Sequence, residues 1–154
     1  MKTLVDRAKE LLQEGMVSCI IGYAHNSDSK KLHPFIAKSP DEAGKLTFNH
    51  YALNNLSPFL NIILKSYPGR VGILAKGCDV ASIYSTIKEN KLNRDDIFII
   101  GIECHGVVED YLKSWSVENI ASKCTGCLLQ TPILVDEIIS FSRADVLTND
   151  KLVA

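Results

Sequence analysis

No stretch of this sequence approaches the roughly 18 uninterrupted apolar residues of a membrane-spanning helix, so none is expected. The opening segment, MKTLVDRAKELLQEG, carries charge throughout and lacks a long apolar run, which argues against a secretory signal peptide. The cytoplasm is the expected location. No Lys/Arg run exceeds Lys30-Lys31 and the net charge is -1, so no broad field is available to hold nucleic acid. A GxGxxG fingerprint is missing, which leaves a Rossmann-type dinucleotide site without support. Internal repeats, low-complexity tracts and a clear interdomain linker are also missing, and 154 residues suit a single α/β domain over 1–154. A disulfide framework is disfavoured as well: the cysteines number five, an odd count, with no secretory signal.

What is present reads as alternating helices and strands. TLVDRAKELLQE (3–14) places Leu4, Ala8, Leu11 and Leu12 at helical spacing, and Gly15 is a natural stop. MVSCIIGY (16–23) is an apolar, β-branched run expected to form a buried strand, with Cys19 as a small hydrophobe inside it. The polar segment 24–49 offers two short strands, 34–38 and 45–49, joined by a Pro/Asp/Gly-containing turn into a hairpin insertion, or else a loop that meets a partner. His25, His33 and His50 in or beside it lack ligand-like spacing and are expected at the surface or at caps.

NNLSPFLNIILKSY (54–67) predicts a helix with Ser57 as N-cap and Pro58 in the first turn. RVGILAKGCD (70–79) predicts a strand ending at a Lys-Gly-Cys-Asp corner, and VASIYSTIKEN (80–90) a helix capped by Asp79. DDIFIIGIEC (95–104) is a second buried strand ending at Glu-Cys-His-Gly, followed by a short helix over VVEDYLKSW (107–115). Continuous apolar strands separated by helices indicate an α/β fold with a mainly parallel sheet flanked by helices. Trp115 reads as a packing anchor, and His105 as a residue beside the site rather than in it.

In an open parallel sheet, ligands bind at the carboxyl ends of the strands. KGCD and ECHG both fall there, so parallel pairing would bring Cys78 and Cys104 to one edge, each beside a helix start whose positive end favours thiolate. The later KCTGC adds Cys124 and Cys127, and four thiols then converge. Four thiolates suit a [4Fe-4S] cluster. Structural zinc accepts them too, although its usual layout has two CxxC knuckles in a small module. A thiol redox pair, or no metal at all, are the remaining readings.

The run RVGILAKGCDVASIYSTIKENKLNRDDIFIIGIECHGVVED, with KCTGC and Pro132 after it and FNHYALNNLSPFLNIIL before it, resembles the coenzyme F420 hydrogenase/dehydrogenase beta subunit family. The resemblance covers roughly residues 47 to 136. It implies an iron–sulfur flavoprotein module, corresponding to the N-terminal part of the family, that passes electrons between a partner's clusters and a flavin such as FAD, or F420. The implied partners are larger subunits of hydrogenases, formate dehydrogenases or heterodisulfide-reductase-type complexes. Cys78, Cys104, Cys124 and Cys127 match the family's thiols, and the Lys76-Gly77 turn is the place where a flavin phosphate would meet helix N-terminal amides. The CxxCxxC motifs of larger members are missing here, so a small subunit or the relay portion of a divided enzyme is expected. Two other readings remain: a non-catalytic assembly module whose thiols bind zinc or nothing, and a flavin-only binding domain.

Overall fold

The computed structural model describes residues 3–26, 29–110 and 112–140. Helix α1 (Leu4–Gln13) buries Leu4, Ala8 and Leu11. The Thr3 hydroxyl caps it by accepting the Asp6 amide at 3.1 Å. At its far end Gly15 takes φ +70°, and Met16 N–H returns to Leu11 O at 3.0 Å, a Schellman closure.

Five strands form one sheet in the order β2-β1-β3-β4-β5. They are β1 (Cys19–Asn26), β2 (Ser29–Ala37), β3 (Val71–Ala75), β4 (Ile97–Ile102) and β5 (Glu137–Ile139). β1 runs antiparallel to β2, while β3 is parallel to both β1 and β4, and β5 is parallel to β4. The helices α2 (Pro40–Ala43), α3 (Phe59–Ser66) and α4 (Gly77–Lys88) complete the fold, with α3 against β3 and α4 against β3 and β4. Every residue of β3 and β4 is buried, as expected of strands covered on both faces. Cys19 lies wholly inside this core. Among the described residues no helix is long and apolar enough to cross a membrane.

Several elements differ from the sequence reading. The hairpin pairs β1 with β2, not 34–38 with 45–49; Thr47 makes only a single bridge to Tyr23. β2 is polar because it is the sheet's outer strand, where charged side chains reach water. Segment 24–49 is therefore largely structural, with Leu32, Ala37, Ala43, Leu46 and Phe48 all buried. α3 begins at Phe59, and Ser57 bonds the Ser82 hydroxyl at 2.8 Å instead of capping a helix. α4 begins at Gly77, which places Asp79 in its first turn, where its carboxylate accepts the Lys76 amide at 3.0 Å.

Among the described residues of 107–115 there is no helix. Val107 and Val108 are buried, and their backbone groups bond across the chain, Val108 N–H to His50 O at 2.8 Å and Ala121 N–H to Val107 O at 2.7 Å. A helix over this segment would need the Val107 carbonyl as an intrahelical acceptor, so its bond to Ala121 competes with that ladder. His50 is buried rather than superficial, its ring 6.1 Å from that of Trp115.

A candidate thiol centre

The register of β3 on β4 pairs Ala75 with Gly101, so both strands end side by side at one edge of the sheet. Beyond that edge Cys78 sits in the first turn of α4, and Cys104 follows β4 by two residues. The loop carrying the CxxC folds back onto the same place. Its anchor is the Cys104 amide, which donates to Gln130 O at 2.9 Å. Cys124 closes a single 3-10 turn (Ser122–Cys124), and Cys127 N–H then returns to Cys124 O at 3.2 Å. Thr125 at φ -65°, ψ 120° followed by Gly126 at φ +71° makes this a type II turn, whose third position needs a positive φ and so favours glycine.

Cys78, Cys104, Cys124 and Cys127 together line one cavity of about 130 Å³, with Lys76 and Lys123 also contributing to its wall. The Leu129 amide donates to the Cys127 sulfur at 3.3 Å, and the backbone amides of Asp79 and Gly106 favour the charged form of Cys78 and Cys104. Among the described residues, no three His, Cys, Asp or Glu side chains gather tightly enough to hold a single metal ion.

Burial disfavours thiolate at Cys78 and Cys104. Burial pushes the Cys104 thiol up to about 11, against the pull of the Gly106 amide and the Lys76 charge. Burial likewise raises Cys78, with the Asp79 carboxylate adding to the effect and Lys76 opposing it. A helix start was expected to favour thiolate at both. Cys78 does have one, but desolvation outweighs it, and no helix follows Cys104.

Under the cavity lies a polar node that sequence reasoning missed. Lys76 Nζ donates to Tyr23 Oη at 2.7 Å, Ala52 O at 2.9 Å and Asn54 O at 3.0 Å, and Asp79 Oδ2 is 3.4 Å away. The Tyr23 hydroxyl donates onward to Asn54 O. Lys76 is thus engaged internally, and the Cα of Gly77 is covered by Leu129. The only sequence signal for the node was the three-residue spacing of Lys76 and Asp79; Tyr23 was hidden at the end of an apolar run. His105 offers its carbonyl to Trp115 Nε1 at 3.3 Å, so Trp115 acts in packing. Asp136 lies away from the thiols, where it binds Arg94 at 2.8 Å and the Ile99 amide at 2.7 Å and so fixes β5 to β4.

No protein-family model matches the sequence. In fold the chain resembles a chain of the xenon-derivatised F420-reducing [NiFe] hydrogenase complex from Methanosarcina barkeri, with a TM-score of 0.57. Identity is 15%, with 65% of this chain and 36% of that chain covered, so the chain spans little more than a third of that neighbour's length. At this identity the likeness is one of fold.

Proposed function

We propose that Cys78, Cys104, Cys124 and Cys127 hold one [4Fe-4S] cluster, and that the chain is an electron-transfer module of a larger oxidoreductase. The observation that carries this reading is the convergence of four thiols, from three separate segments, on one cavity. The donor set fits. Four sulfurs match the usual ligation of such a cluster, and backbone amides offset thiolate charge at Cys78, Cys104 and Cys127. A single zinc ion needs its sulfurs about 2.3 Å from one centre. No such tight group is present among the described residues.

When bound, the cluster supplies a one-electron couple, so no general acid or base is required. This chain's residues bind it, shield it from water and set the charge around it. The thiols at Cys78 and Cys104 must release their protons on loading, which the Lys76 charge eases at both and the Lys123 charge at Cys78.

The fold neighbour belongs to an F420-reducing hydrogenase complex, which supports a hydrogenase-type partner; the sequence resemblance adds formate dehydrogenase and heterodisulfide-reductase types as further candidates. The electrons would pass to or from a flavin or F420-type carrier. Leu128 is 95% exposed, and Ile133 and Leu134 are also exposed, all on the segment that carries the CxxC. Exposed apolar side chains along one segment suit contact with a partner subunit.

The test is anaerobic purification with iron, sulfide, zinc and flavin measured on one sample. About four iron and four sulfide per chain are expected. Zinc alone, from protein supplied with iron, rejects the reading in favour of a structural site. Flavin without iron rejects it in favour of a flavin-only domain.

A further inference from the structure

Lys76 and Asp79 are a buried ion pair, their side chains 5% and 1% exposed. An ammonium has three protons, and here three protein oxygens accept them, with the carboxylate as a further neighbour. Removing an ammonium from water is costly unless such acceptors replace the water. The Tyr23 phenol is pushed up by burial and keeps its proton, so it accepts from Lys76 while donating to Asn54 O. The pair is not symmetric about the thiol cavity. Lys76 lines its wall and favours the charged form of both Cys78 and Cys104, whereas Asp79 disfavours it at Cys78, whose thiol faces the Asp79 Oδ1 at 4.0 Å.

Lys123 lines the same cavity from the solvent side, exposed and donating only weakly to Leu53 O at 3.4 Å. Salt screens an exposed charge but acts much less on a buried one.

We propose that Lys76 is the fixed countercharge of the thiol centre: held by Tyr23, Ala52, Asn54 and Asp79, its ammonium stabilises the reduced, more negative state of the bound cluster. The inference rests on the cluster reading above. One electron delivered by the partner oxidoreductase adds one negative charge to the site, and an ammonium already facing the cavity offsets it without proton uptake. Lys76 is a positioning residue that acts through the field and takes no part in bonding.

The experiment is a redox titration, monitored by electron paramagnetic resonance, of anaerobically reconstituted protein at low and high salt. Wild type is compared with Lys76→Met, with Lys76→Met/Asp79→Asn and with Lys123→Met. The double variant leaves no orphaned buried carboxylate, so it carries the test if the single variant does not fold. At a fixed solution potential, Lys76→Met is expected to lower the reduced-to-oxidised ratio about tenfold, a fall of about 59 mV for one electron. The double variant shifts in the same direction by a smaller factor, and both shifts persist at high salt. Lys123→Met gives a smaller shift that high salt removes. An unchanged or raised midpoint in either iron-loaded Lys76 variant overturns the proposal. A wild-type chain that takes up no iron overturns the cluster reading itself, and this role for Lys76 with it.

Discussion

The carbonyl oxygen of Leu129 lies so close over Gly77 that a Cβ at position 77 would sit 1.9 Å from it. Backbone therefore meets backbone where the cysteine loop closes on the first turn of α4, and the loop can reach Cys78 only because residue 77 has no side chain. Gly77→Ala is expected to push the loop outward, cost about 1–3 kcal/mol as an overpacked contact, and reduce iron uptake. Urea unfolding and iron content of the variant check this. A variant with wild-type stability and full iron would mean that the loop does not close as described.

Gly126 gives a different case, because nothing lies within 4 Å of a Cβ added there. Its constraint is the dihedral alone. Gly126→Ala forces a side chain into the left-handed region at a cost of about 1–2 kcal/mol, whereas Gly126→Asn is better tolerated. Thermal unfolding should therefore rank wild type above Asn and Asn above Ala. Equal midpoints for Ala and Asn would contradict the type II turn at the CxxC.

Cys104 sets a pH dependence in the metal-free chain. With its thiol raised from 9.0 to about 11, alkylation by a neutral reagent should quicken by about tenfold per pH unit between roughly pH 8 and pH 10, since only thiolate reacts. The same shift acts on stability. Below pH 9 both folded and unfolded forms keep the proton; as pH rises towards 11 only the unfolded form releases it, so stability falls across that window. Peptide-resolved alkylation and denaturant midpoints at matched pH values report the two effects. A Cys104 rate that levels off below pH 9 would show that burial does not control this thiol.

The central strands were legible in the sequence because strands covered on both faces must be apolar throughout, and GILA and IFIIG leave no other reading. The shared edge of Cys78 and Cys104 was legible for the same reason: two parallel strands of similar length end together. Only the end of β2 was legible, as the strand expected at 34–38; its start, SKKLH, looks like loop until β1 is beside it, because an outer strand need not alternate cleanly. The helix expected at 107–115 failed through tertiary override, its backbone being claimed by His50 and Ala121. The Lys76–Tyr23 bond joins residues 53 apart in the chain, and no local pattern marks it. Asp136 lies near the CxxC in sequence, yet the chain returns along the sheet before reaching it, and it serves as the clasp of β5.

The central claim is that Cys104, delivered by a strand, shares one centre with the CxxC loop, while Cys19 belongs to the core. Iron and sulfide content after anaerobic reconstitution of Cys104→Ala, with Cys19→Ala alongside, tests it most directly. The account predicts that Cys104→Ala loses most of its cluster and Cys19→Ala keeps it. Full iron and sulfide in Cys104→Ala would contradict it.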